Sequence, residues 1–254
     1  MTIDALPVEV SAAIVRISSP PGPAPEHRPG ELARLEAWWH AVGDGQAPRV
    51  AWVAGPPGPA DSAQALSAGL AAVDGAIDAG ASLIVPAVTS PRPLAARTVV
   101  AVLTRADAAS VTYQYPGMTD AAWMDLCEQV RDLAADVSAL RASPLALLDA
   151  VGAPPIAHAA GVLLGAAARR TPCLVDGTDA LAAALVADRL SFRAREWWRS
   201  AATSPDPGRR AAEERIGLGQ GLPLGLVGED RSGARATLAL LQMLAVEALQ
   251  DGPP

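Results

Sequence analysis

Residues 143–190 read SPLALLDAVGAPPIAHAAGVLLGAAARRTPCLVDGTDALAAALVADRL. The pattern predicts a helix, a turn, a long apolar helix and a short buried strand at Cys173–Val175, and then a helix opening at Asp176-Gly177-Thr178. An Asp-Gly at the carboxyl end of a strand, just before a helix, is where open α/β sheets place ligands. Free backbone N–H groups at such a helix start suit an anion such as a phosphate. A plain strand-to-helix turn that holds nothing has the same spacing.

Working outward, apolar and turn-rich stretches alternate in the same way. Residues 49–54 (RVAWVA) and 82–88 (SLIVPAV) read as strands, and GPPGPADS and TSPRP follow them. A helix is expected over residues 63–79, capped by Asp61 or Ser62 and stopped at Gly80. Residues 31–42 (ELARLEAWWHAV) and about 233–250 also carry helical spacing, and Thr119 opens a helix reaching Leu140. Residues 97–104 fit either strand or helix, while 111–115 (VTYQY) alternate like a short strand. The proline-rich stretch up to Pro29 reads as an extended arm. The fold class expected is α/β: a three-layer, Rossmann-like, mostly parallel sheet flanked by helices, with a small helical N-terminal appendage. The arm and short helix would occupy residues 1–48 and the α/β domain 49–254. Right-handed crossovers bring the GPPGP, TSPRP and DGTD loops to one sheet edge, the expected site.

Composition narrows the chemistry. Half of the 254 residues are apolar, yet no apolar run approaches the ~20 residues of a membrane helix. The first ten residues, MTIDALPVEV, lack a basic leader, so a cytoplasmic protein without a membrane partner is expected. A net charge of −7 argues against nucleic acid. The chain has neither lysine nor asparagine, which excludes a P-loop lysine or a Schiff base. Cys127 and Cys173 lack metal-ligand spacing and read as buried thiols; no His/Cys cluster suggests a metal site, and no cofactor is expected. His158, alone on an apolar helix, reads as a core residue. Gly161 and Gly165 read as places of close helix packing. The glycine run 217–225 breaks the dinucleotide spacing at Leu222 and is set aside. Two turns carry carboxylates suited to general-base work: SPDPG with Asp206, and GEDRSG with Glu229 and Asp230. Helix capping is the ordinary use of both.

Taken together, residues 143–187, SPDPGRRAAEERIGL, LPLGLVGEDRSGARATLAL and PGELARLE resemble the nicotinate-nucleotide–dimethylbenzimidazole phosphoribosyltransferase family of cobalamin biosynthesis. The similarity is good over residues 143–248 and thin over 67–140. The resemblance implies transfer of phosphoribose from nicotinate mononucleotide to a benzimidazole, with a carboxylate taking the acceptor's proton. It places Asp230 on the catalytic glutamate, with Glu229 beside it. It also places Asp176, Gly177 and Thr178 at the nucleotide site, Ser204 and Gly208 in the phosphate-side turn, and Gly117 in a Gly-Thr-Gly turn. Homodimers are implied too, and the tryptophans of WWH and EWW would serve either an interface or the core.

The departures lie on both substrate sides. A long segment between residues 54 and 63 is absent, and TSPRP replaces the family's glycine-bearing phosphate loop. The family's phosphate-binding lysine has no counterpart, and Leu126 stands near its place; Arg92 is the cation available to replace it. Asp230 is one methylene shorter than glutamate, and Arg231 replaces a glycine. Two readings follow: a truncated, diverged phosphoribosyltransferase of altered or reduced activity, and a non-catalytic nucleotide-binding or partner subunit.

Overall fold

A computed structural model describes residues 6–21, 30–43, 46–55, 61–88, 93–219, 221–228 and 231–251. Four short strands, β1 (Val50–Val53), β2 (Leu83–Pro86), β3 (Cys173–Val175) and β4 (Trp198–Ser200), pair in parallel in the order β1-β2-β3-β4. Spatial order thus follows chain order, and crossovers of one hand then stack every connecting helix on one face. The connecting helices are α3 (Ser62–Asp78), α4 (Pro93–Thr104), α5 (Asp120–Val137), α6 (Pro144–Val151), α7 (Pro154–Ala168) and α8 (Thr178–Leu190). The other face is covered by segments outside the sheet: α2 (Glu31–Val42) before it and α10 (Ser232–Asp251) after it. The remaining helices are α1 (Val8–Arg16) and α9 (Pro207–Ile216).

Strand alternation divides the core accordingly. Ile84, Cys173 and Val175 join the large cluster built on α3, α4, α7 and α8. Leu83, Val85 and Leu174 face Leu35 and Trp39 of α2 and Ala234 and Leu241 of α10. Helix α7 lies inside this packing, which is why its sequence is apolar all round. It crosses α3 at glycine: a Cβ on Gly69 would stand 2.0 Å from the His158 carbonyl oxygen, and one on Gly161 2.0 Å from that of Leu66. A Cβ on Gly165 would meet Val73 Cγ1 in the same way, at 2.5 Å, so both glycines of α7 are packing positions.

Caps follow the sequence. Asp61 accepts from the Gln64 N–H at 2.8 Å and starts α3, while Thr119 accepts from Ala122 at 3.2 Å and starts α5. Gly80, at φ +96°, lies just past the end of α3.

Three expectations are corrected and one open alternative, residues 97–104, is decided. The arm contains helix α1, because Val10 and Ala13 share a stripe that buries against the core. Residues 97–104 are helical. Residues 111–115 form no strand: Val111 ends a 3-10 turn, and Tyr115 turns its hydroxyl to Arg97. The stretch after residue 190 supplies β4, hidden in the sequence by its brevity and by Arg199 at its centre. Trp39, Trp197 and Trp198 are core residues, their indole N–H groups held by the carbonyls of Gln46, Ser18 and Leu163. Among the described residues, no helix is long and apolar enough to cross a membrane.

Candidate functional site

The carboxyl ends of β3 and β4 meet the starts of α8, α9 and α10. Val175 ends β3, and Asp176 and Gly177 carry the chain into α8; Gly177, at φ +95°, takes a backbone angle that favours glycine. Asp176 is buried and does two things. Its Oδ2 accepts the Ala234 N–H of α10 at 2.8 Å, and its Oδ1 lies 3.7 Å from Nη1 of Arg209. Both side chains are nearly sealed, 3% exposed for Arg209 and 4% for Asp176.

Arg209 sits in the first turn of α9 and reaches across the edge. Its Nη2 donates to the Gly228 carbonyl at 2.6 Å, and its Nε lies 3.4 Å from the Thr178 hydroxyl. The pair therefore fastens both flanks of residues 229–230: Arg209 holds Gly228, and Asp176 holds the start of α10. Space is tight there, since a Cβ on Gly233 would stand 3.0 Å from Asp176 Oδ2 and 2.9 Å from Ala202 Cβ. The chain turns sharply at Arg231, which holds φ +61°. That is a left-handed angle glycine adopts freely and other residues at a cost.

A second network fixes the head of α9. Asp206 is fully buried; its Oδ1 caps the helix by accepting the Gly208 N–H at 2.8 Å, and its Oδ2 lies 3.4 Å from Arg97. Arg97 also donates to the Val111 carbonyl at 3.1 Å and to the Tyr115 hydroxyl at 2.8 Å. The SPDPG turn is therefore a cap and a buried ion pair, and its carboxylate is committed to them. Ser204 accepts from the Asp206 N–H at 3.2 Å, and Gly208 lets the turn approach the Val111 carbonyl. Gly117, at φ +87°, lies two residues beyond Tyr115 in the turn that the Met118 N–H closes on the Tyr115 carbonyl at 2.9 Å. Arg92, Glu229 and Asp230 lie outside the described residues.

Glu213, one turn along α9 from Arg209, accepts the Ser200 hydroxyl at 2.5 Å. Burial raises its carboxyl above the ordinary range, against the lowering effects of that hydrogen bond and of Arg209. His158 lies under the end of β1, its ring against Gly55. Burial lowers its pKa, and its Nε2 has no hydrogen-bond partner among the described residues. Arg209 and Glu213 escaped the sequence reading because GRRAAEER resembles a solvated helix face, and Arg97 because it stands alone at the head of the apolar stretch RTVVAVLT. The available signal was chemical: a buried Asp176 needs a cation, and in a chain without lysine that cation is arginine.

The fold defines an α/β protein whose buried charged groups gather at the carboxyl end of a parallel sheet. A family model described as phosphoribosyltransferase matches residues 59–251. The nicotinate-nucleotide–dimethylbenzimidazole phosphoribosyltransferase of Streptomyces avermitilis is 36% identical over 188 residues, covering 73% of this chain and 50% of that protein. The Mycobacterium tuberculosis enzyme of the same name is 36% identical over 192 residues, 75% of this chain and 53% of that one. The crystal structure of CobT from Thermus thermophilus superposes with a TM-score of 0.63 at 26% identity, over 72% of this chain and 55% of that one. The chain belongs to this phosphoribosyltransferase family of cobalamin biosynthesis. It spans about half the length of the curated relatives it matches.

Proposed function

We propose that this chain binds nicotinate mononucleotide at the Asp176–Thr178 edge and transfers its phosphoribose to a benzimidazole-type base. The observation that carries this reading is the Asp176–Arg209 pair, which grips the chain on either side of residues 229–230. Asp230, or Glu229 beside it, takes the proton from one ring nitrogen of the acceptor. The other nitrogen attacks the anomeric carbon of the ribose, and nicotinate leaves with the electron pair of the broken C–N bond. The start of α8 and the Ser204–Gly208 turn serve the phosphate, with Gly117 nearby and Arg92 in place of the missing lysine. Burial of the surrounding polar groups keeps the geometry fixed, which matters because a ~1 Å misplacement costs about a hundredfold in rate.

A second reading, a nucleotide-binding or partner subunit without turnover, is favoured by the glycine-free TSPRP loop and by the absence of lysine from the sequence. The same proposal places the protein in the cytoplasm as a homodimer, and sedimentation tests the oligomeric state.

Calorimetric titration with nicotinate mononucleotide, and separately with 5,6-dimethylbenzimidazole, decides between the readings. Binding of both, with turnover abolished by joint Glu229→Ala and Asp230→Ala, is the expected result. Turnover that survives the double substitution refutes the assigned base. Nucleotide binding without turnover supports the subunit reading, and binding of neither at millimolar concentration refutes transfer and nucleotide binding alike and leaves the partner subunit.

A further inference from the structure

Arg199 lies at the centre of edge strand β4. Its register opposite Leu174 turns it toward α2 rather than toward the connecting helices. The residue is 7% exposed, yet its Nε and Nη2 have no hydrogen-bond partner among the described residues. Those atoms are the two parallel donors on one edge of the guanidinium, the fork that matches two oxygens of one oxyanion. Its Cζ stands 5.9 Å from the ring centroid of Trp38, whose buried Nε1 is also unpartnered among the described residues. Glu31 and Arg34, on the first turn of α2, complete the surroundings and pair with each other at 2.6 Å. The cluster therefore keeps a net single positive charge, and three donors are left unpartnered among the described residues beside one buried acceptor, Glu31 Oε2. Left empty, a buried guanidinium in that state is strongly unfavourable. Burial also depresses its pKa, opposed by the nearby Glu31.

We propose that Arg199 and Trp38 form a binding site for a small oxyanion, a carboxylate or phosphate group, alongside β4 rather than beyond its end. Glu31 screens the entrance and limits affinity by repulsion.

Thermal unfolding at constant ionic strength tests this, with inorganic phosphate or acetate replacing chloride, in wild type, Arg199→Met and Glu31→Gln. The wild type is expected to show a saturable rise in Tm of ~5–10 °C at about a hundred times the dissociation constant. Arg199→Met is expected to start from a higher Tm in chloride and to lose that increment. Glu31→Gln is expected to bind the anion several-fold more tightly. The difference between wild type and Arg199→Met reads this site alone, so phosphate bound at the carboxyl edge does not enter. An equal anion increment in both proteins overturns the proposal. So does a Glu31→Gln variant that melts lower in chloride and no longer responds, because Glu31 is then the partner of Arg199. Should Arg199→Met fail to fold, Arg199→Lys replaces it: the charge stays and the fork goes, and a full increment in that variant overturns the proposal equally.

Discussion

Replacing Arg209 with Met removes one half of the buried pair at the carboxyl edge. Asp176, 4% exposed, then keeps the Ala234 N–H at 2.8 Å but loses the guanidinium across the 3.7 Å gap. The Gly228 carbonyl loses its 2.6 Å bond at the same time. Breaking a buried pair from one side costs ~3–5 kcal/mol, because the remaining charge is stranded. For a chain of this size that corresponds to a fall in Tm of about 6–20 °C. Circular dichroism melts and urea titrations measure it. The decisive comparison is Asp176→Asn with Arg209→Met: the double variant is expected to lose less than the sum of the single losses, by ~1–3 kcal/mol. A single Arg209→Met loss below ~1 kcal/mol, or strict additivity, refutes the claim that the two charges depend on each other.

Gly208→Ala is expected to cost ~1–3 kcal/mol by urea midpoint, since its Cβ would meet the Val111 carbonyl oxygen at 2.6 Å; an unchanged midpoint refutes the close approach. Burial pushes the Glu213 carboxyl above its ordinary 4.5, so this group's stabilising contribution is full below about pH 4.5 and is lost as pH rises through the folded value. The stability advantage of Glu213→Gln over wild type is therefore expected to grow as pH rises from about 4.5 through the folded value, and an advantage independent of pH contradicts this. Burial raises the Cys173 thiol far above the usual range, whereas Cys127 is half-buried. A disulfide reagent is expected to label Cys127 alone in the native protein and both thiols in urea; native labelling of Cys173 refutes its burial.

The strand–turn–helix at residues 173–178 was legible because β3 is flanked by unmistakable elements and carries no polar residue. Likewise, Asp61 and Thr119 stood where helix starts demand them, and both cap as expected. Strand β4 was not legible: three residues with a central arginine show no period, and only pairing with β3 makes them a strand. Asp206 was legible as a turn residue, but its burial against Arg97 depends on a helix 109 positions away in sequence. Arg209 was hidden for a related reason. On a charged helix, periodicity shows which residues share a face, and only the tertiary fold shows that this face meets the buried Asp176. The glycines of α7 were easier, because a wholly apolar helix must pack at close range.

The sheet order gives the C-terminal helix a place in time as well as in space. Everything from β1 to β4 packs its connections on one face, so that core closes before the last twenty residues are needed. The second face waits for α10, and so does the carboxyl edge, whose Asp176 finds its backbone donor 58 residues later at Ala234. During synthesis the chain passes through a stage in which one side of its sheet is finished and the other has only α2 against it, with the α10 side of Leu83, Val85 and Leu174 open to water. Completion of the site and concealment of that greasy surface are therefore the same late event.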